Sequence, residues 1–314
     1  MLQPHHISEI KMIISPVKIF KWPGRLICLI TVIILGAKQA NAQSADFQSV
    51  YFQNQYLANP AMAGIDKGLK LNAGYQQQWT TIPGNPVLQN LTAEYNAGNR
   101  VGVGLMIDNN SAGLISRTRA MATYAYHLPL NEDDQKLNFG VSLGFKDNHV
   151  DYNKIVADPG DQSAQSFNQR GAYVDGDLGL AYTSNSFNVQ AAVPNLKSLF
   201  FPNQTDNLDI NRSTFYTAVS YKIDNGQSTS IEPKIAFRGA KGLGNIVDAG
   251  ANVAVDENHF DISGIYHSDK SATLLLGLNL NAVGIMISYT NNTGPLRTYA
   301  NNTFELDLRY VLFN

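Results

Sequence analysis

From Leu69 onward, apolar and polar residues alternate with a period of two, one segment after another. Leu69, Leu71, Ala73 and Tyr75 share a face. Val101, Val103, Leu105 and Ile107 alternate with Gly102, Gly104, Met106 and Asp108. Leu137, Phe139, Val141, Leu143 and Phe145 alternate with Asn138, Gly140, Ser142 and Gly144, and Leu274, Leu276, Leu278 and Leu280 oppose Thr273, Gly277, Asn279 and Asn281. Successive side chains of a strand point to opposite faces, so each segment reads as a strand with one apolar and one polar face. The pattern predicts strands near 69–77, 87–96, 100–109, 115–127, 136–147, 173–184, 186–194, 213–224, 228–238, 245–256, 258–267, 271–281, 282–290 and 302–313. Most are close to the roughly 9–11 residues a tilted strand needs to cross a bilayer. A soluble sandwich seldom uses so many strands of this length. A transmembrane β-barrel of about fourteen antiparallel strands, apolar outside and polar inside, accounts for them better.

The connections give an independent reading. Every second one is short: Ala97-Gly98-Asn99, 128–135, Asn185, Asn225-Gly226-Gln227, Glu257, and almost nothing after Asn281. The other set holds the long ones, at 78–86, 148–172, 195–212 and 291–301. Outer-membrane barrels have short periplasmic turns and longer outer loops, so this rhythm implies an even strand count with both termini in the periplasm. The last strand, 304–313, alternates and ends on an aromatic, although Phe313 falls on the opposite parity from its apolar set.

The N-terminus reads as a targeting segment. Lys18, Lys21 and Arg25 precede an apolar core at 26–35, and Ala40-Asn41-Ala42 is a small-x-small cleavage site. The expected organisation is a signal peptide at 1–42, a periplasmic N-terminal or plug segment at 43–68, and an outer-membrane barrel at 69–314. Forty-two residues is long for a signal, which makes Met12 a second candidate start. Cys28, the one cysteine, lies inside the apolar core without the small residue expected before a lipidated cysteine. The mature chain then has no disulfide to form.

Composition narrows the reading further. Charged residues are 15%, against roughly 25% in a typical soluble domain. Fourteen Phe, fifteen Tyr and two Trp at a net charge of −2 argue against disorder. Removing residues 1–42 takes away five of 23 cations and one of 25 anions, leaving a net charge of −6. Nothing in this balance calls for a nucleic-acid partner.

Chemistry-bearing constellations are sparse. His127, His149, His259 and His267 stand at no metal-ligand spacing, and neither G-x-S-x-G nor H-E-x-x-H occurs. Gly102-Val103-Gly104 sits on a strand, where glycine marks close packing or lumen space. Asp158-Pro159-Gly160-Asp161 has the residues of a turn and lacks the acidic spacing of a calcium loop. No catalytic residue, metal ligand or cofactor is read. The strand charges Glu94, Arg117, Arg119, Asp175, Asp177, Glu232, Lys234, Arg238, Glu305, Asp307 and Arg309 all oppose apolar residues. Facing lipid near the midplane would cost about 2–4 kcal/mol for each Arg or Lys, so these side chains are expected inside, as a salt-bridge network. The aromatic run before strand 1 can bury itself only in the lumen or against a partner, which makes Phe47, Tyr51, Phe52, Tyr56, Asn59 and Pro60 candidate plug residues.

The stretch 47–64, FQSVYFQNQYLANPAMAG, resembles the mature start of the PorP/SprF family, an aromatic, amide-rich run ending in N-P-A-x-A-G. Gln78-Trp79, Pro83-Gly84-Asn85-Pro86, Val101-Gly102-Val103-Gly104, Tyr124-Ala125-Tyr126 and Lys136-Leu137-Asn138-Phe139-Gly140 follow in the family's order. The likeness is specific over 43–146 and generic beyond. It implies an outer-membrane component of the type IX secretion and gliding machinery of Bacteroidetes, with a barrel similar to the fatty-acid-transporter type. It further implies partners: the C-terminal domain of a large secreted adhesin, and periplasmic type IX or peptidoglycan-associated components.

Two classes of function remain. One is a non-enzymatic barrel that binds and anchors a secreted protein; the other is an outer-membrane channel for small or apolar molecules. A lipid hydrolase would need a Ser/His pair that is not visible. Anchoring needs sequence-rich outer loops. Tyr152, Ile155, Val156 and Phe167, then Leu196, Leu199, Phe200 and Phe201, are the expected partner-binding residues, since such clusters are costly to leave in water.

Overall fold

The computed structural model describes residues 48–79, 83–131, 134–151, 171–201, 213–225, 228–240, 244–256, 258–292 and 302–312. Each alternating stretch is a strand: β1 (Leu69–Gln78), β2 (Val87–Gly98), β3 (Val101–Ala112), β4 (Ile115–Pro129) and β5 (Lys136–Val150). Then come β6 (Tyr173–Thr183), β7 (Phe187–Val193) and β8 (Ser213–Tyr221, continued by Ile223–Asp224). The last six are β9 (Ser230–Ala240), β10 (Gly244–Val255), β11 (Phe260–His267), β12 (Ser271–Leu280), β13 (Val283–Asn292) and β14 (Thr303–Leu312). Every strand pairs antiparallel with its neighbours in sequence, and β14 returns to β1 over ten residue pairs, from Leu69↔Leu312 to Gln78↔Thr303. The sheet is a closed fourteen-stranded barrel. Closure satisfies backbone groups that lipid could not hydrogen-bond.

Strand ends lie within three residues of the sequence reading, the largest differences being outward extensions of β3 and β5. Beyond the apolar band the outward positions become polar, as at Asn109 and Ser111, and the alternation that marks a strand disappears. Asn281, read as the last residue of its strand, stands instead in the turn after β12 with φ 50°. The tight turn after β2 also needs positive φ, at Asn99 (50°) and Arg100 (69°), as a two-residue hairpin does.

The outward face is apolar around the barrel, with Leu105, Leu143, Phe145, Ile235 and Tyr266 among the exposed side chains. A patch of this extent is a membrane surface. The inward face carries the charges expected there: Glu94, Asp175, Asp177, Lys234, Arg238, Glu305 and Asp307 are all buried. On β12, Leu274, Leu276 and Leu280 are 53%, 52% and 53% exposed, whereas Leu275 between them is fully buried inside. Single cysteines at Leu274 and Leu276 should react only with lipid-soluble thiol reagents, and those at Asn279 and Asn281 with water-soluble ones. Equal labelling of both sets by a water-soluble maleimide would mean that the facing is wrong.

Candidate functional site

The lumen is not empty. Residues 48–64 run through it as three short 3₁₀ turns, Ser49–Phe52, Gln55–Leu57 and Pro60–Met62. The segment is too rich in amides and too broken by Asn59-Pro60 to form a longer helix. The last turn is set locally: Asn59 Oδ1 accepts the Ala61 N–H at 3.0 Å, and Pro60 supplies a helical φ at the first position. Tyr51, Phe52, Tyr56, Asn59 and Pro60 are buried.

Apolar residues on the otherwise polar inner face explain where this segment sits. Leu275 and Met286 pack on Val50; Met106, Met121 and Ala125 pack on Tyr56 and Ala63. Tyr216, Ala218, Ala236 and Ile265 pack on Tyr51 and Phe52, and the Tyr51 ring meets Tyr216 edge-on at 5.8 Å. Space is made by glycine. Gly140 and Gly179 face each other across β5 and β6, and a Cβ on either would overlap the turn at 59–61. A Cβ on Gly104 would overlap the Tyr56 ring.

Three wall carboxylates hold the segment, two of them on the strands that flank β1 and one on β10. Glu305 of β14 accepts the backbone N–H groups of Ser49 (2.9 Å) and Val50 (3.4 Å). Glu94 of β2 accepts the Gly64 N–H at 3.0 Å, while His127 Nε2 donates to the Ala63 carbonyl at 3.1 Å. Asp248 of β10 takes the Tyr51 hydroxyl at 2.5 Å. Its carboxylate also accepts from Arg238 Nε (2.6 Å) and His267 Nδ1 (2.6 Å), so a guanidinium, an imidazole and a phenol hydroxyl converge on it. Burial, and after it the Asp248 charge, push the Tyr51 hydroxyl well above the usual tyrosine range, so it stays a donor. Arg119–Asp177 and Arg238–Asp248 pair inside the barrel, as expected of the inward charges, while Glu94 and Glu305 accept backbone N–H groups of the inserted segment.

The segment divides the lumen. On the short-turn side lies a vestibule of about 820 Å³, lined by Phe52, Gln53, Gln55 and Met62 of the segment and by wall residues including Lys70, Glu232, Lys234, Asp261 and Arg309. On the long-loop side is a cavity of about 150 Å³, bounded by Tyr51, Tyr56 and residues 57–60.

The outer rim carries the second candidate surface. β7 stops after seven residues, and the chain turns at Asn195 (φ 57°) into a short helix, α1 (Leu196–Phe200). Two wall carboxylates receive it: Asp177 accepts the Asn195 N–H and Asp175 the Lys197 N–H, both at 2.9 Å. These bonds satisfy N–H groups that a helix start leaves free. They turn Leu199, Phe200 and Phe201 outward, at 59%, 66% and 55% exposure, while Leu196 lies beside Gly176.

The sequence reading of the site thus divides in two. Tyr51, Phe52, Tyr56, Asn59 and Pro60 are gathered inside the lumen, and Leu196, Leu199, Phe200 and Phe201 on the outer helix. Phe47, Tyr152, Ile155, Val156, Phe167, the turn at 158–161, Phe313 and the signal peptide at 1–42 lie outside the described residues. Asp248, His127 and His267 were not singled out as partners of the segment. Their inward parity is the signal that could have found them, since a buried Tyr51 hydroxyl needs a facing acceptor.

The sequence profile described as type IX secretion system membrane protein PorP/SprF matches residues 40–310. The chain belongs to the PorP/SprF family. That membership makes it a membrane component of type IX secretion. No curated protein matches it. Solved barrels resemble this PorP/SprF chain without sharing its sequence. The Acinetobacter baumannii outer membrane protein Omp33 is 9% identical, with a TM-score of 0.48, covering 79% of this chain and all of that one. The Pseudomonas putida toluene transporter TodX is 11% identical, with a TM-score of 0.49, covering 83% and 94%. Among the described residues of this family member, no three His, Cys, Asp or Glu side chains gather to hold a metal ion.

Proposed function

We propose that this protein works without catalysis in the outer membrane, as a type IX component that binds and anchors a secreted adhesin through the adhesin's C-terminal domain. The observation that carries this reading is the filled lumen: a barrel whose interior is occupied by its own chain has its outer surface left to work with. The proposed contact residues are Leu196, Leu199, Phe200 and Phe201, with Tyr152, Ile155 and Phe167, which lie outside the described residues, as further candidates. Exposed aromatic and aliphatic anchors of this kind dominate protein–protein contacts. The periplasmic vestibule, polar and open on the short-turn side, is the face offered to periplasmic type IX or peptidoglycan-associated components. The competing role for α1, dipping into the lipid interface or capping the lumen, leaves adhesin display untouched when the helix is made polar. Replacing Leu199, Phe200 and Phe201 together by Ser should lower surface adhesin at least about tenfold with the barrel still assembled, a loss of about 1.4 kcal/mol or more. Normal display in that variant would sink the anchoring role and shift the weight to a channel for small or apolar molecules.

A further inference from the structure

The wall between β6 and β8 is built in two different ways. On the short-turn side β7 forms it, with a ladder to β6 from Thr183↔Asn188 to Leu178↔Val193 and one to β8 from Phe187↔Tyr221 to Ala192↔Tyr216. Beyond Val193 the chain leaves the strand, and α1 stands beside the outer part of β6. The outward residues at this depth are still apolar: Phe145 and Val174 face each other across β5 and β6 and are both exposed. Lipid does not tolerate a loose backbone there, and a helix turns part of its own backbone inward on itself. Within α1 the Ser198 N–H donates to the Asn195 carbonyl and the Phe201 N–H to that of Lys197. The leading N–H groups of a helix lack such partners. Here Asp177 accepts that of Asn195 and Asp175 that of Lys197, while Leu196 lies against Gly176. The Lys197 ammonium rests on the Tyr173 ring, 3.8 Å from its centre. Side-chain contacts thus attach α1 to β6, where a strand would be attached by a backbone ladder. Behind α1 lies the cavity of the long-loop side, bordered by Asp177, Ala192, Pro194 and Asn195.

We propose that α1 is a hinged piece of the barrel wall, latched to β6 by Asp175 and Asp177, whose release opens the long-loop-side cavity sideways into the outer leaflet. The hinge is Asn195, a single residue at φ 57° between the end of β7 and the start of α1. Asp175 and Asp177 are positioning residues: they act on α1 and through it on the cavity. The side chains furthest from the latch, Leu199, Phe200 and Phe201, are the exposed ones, so a partner seated on them pulls against it. That last point alone rests on the anchoring role.

The test uses the full barrel in lipid vesicles, with Cys28→Ser and one cysteine in place of Ala192, a buried residue that borders the cavity. With the latch intact, N-phenylmaleimide dissolved in the bilayer should label it slowly, and trypsin should spare the bond after Lys197. Asp175→Ala should speed labelling at least about tenfold, since the rate follows the population in which α1 is released, and should admit cleavage after Lys197. Asp175→Asn keeps an acceptor oxygen for the Lys197 N–H and should behave as the parent. The unfolding midpoint of the barrel should be the same in all three, which separates a latch from a residue that merely holds the barrel together. Leu196→Ala loosens the contact with Gly176 and leaves every strand residue in place. It should speed labelling severalfold, and it covers the case in which the aspartate variant fails to assemble. Cleavage after Lys197 without faster labelling would mean that α1 does not close the cavity. An equal rise with a charged, water-soluble maleimide would mean that the opening meets water and not lipid. Either result overturns the proposal, as does unchanged labelling in both variants. All of this is read on the barrel alone and so stands apart from adhesin display: normal display in the triple-serine variant would discard the anchoring surface and leave the hinged wall.

Discussion

Replacing Asp248 by Ala should destabilise the barrel by about 3–5 kcal/mol, the cost of leaving a buried cation without its partner. The Arg238 and Asp248 side chains are only 8% and 0% exposed, so solvent screens the pair little. The same change removes the acceptor that Asp248 gives the Tyr51 hydroxyl and His267 Nδ1. Tyr51→Phe removes one hydrogen bond and keeps the ring on Tyr216, so it should cost only about 0.5–1.5 kcal/mol. A double replacement, Arg238→Met with Asp248→Leu, should be less damaging than Asp248→Ala alone, because no unpaired charge stays buried. Denaturant unfolding in detergent measures all three. A cost below about 1 kcal/mol for Asp248→Ala would mean that water reaches the pair. The single variant should also loosen the inserted segment, read as faster labelling of a cysteine at Ser49 by a water-soluble thiol reagent.

Deleting residues 45–63 should open the barrel. The segment has the smaller cavity on the long-loop side and the larger vestibule on the short-turn side, and its removal should join the two spaces. Cells carrying the shortened protein should become sensitive to antibiotics too large for ordinary porins. In planar bilayers the shortened barrel should conduct in discrete steps where the full chain is silent. Assembly is checked separately, since the deletion also strips Leu275, Met286 and Met121 of their packing partners. Unchanged permeability with an assembled barrel would show that the segment does not close the lumen. Steady conductance by the full chain would favour the channel reading over anchoring.

The barrel was readable from Leu69 onward because each of its strands meets lipid on one face and polar side chains on the other. That difference of solvent imposes a period of two on the sequence, and the short-long rhythm of the connections adds the direction of the strands. The aromatic segment 47–64 was also visible as something that must be buried. Its partners were not. Leu274, Leu275 and Leu276 are three identical side chains in a row, and nothing local distinguishes the middle one as a lumen residue packed on Val50. His127 and His267 carry no motif, yet each touches the inserted segment or its anchor.

The sequence by itself determined the strand count, the apolar outer face and the set of charges that must point inward, because each follows from spacing along one strand or from the cost of charge in lipid. Only the tertiary structure decided what those inward charges do. Glu305, Asp248 and Glu94 lie 241, 184 and 30 residues beyond Gly64, and closure of β14 on β1 is what brings them around one short segment. Whether a carboxylate meets a cation, a backbone N–H or a tyrosine hydroxyl depends on cross-strand register and on which lumen positions are glycine. Those relations join residues far apart in the chain, and a period of two cannot express them.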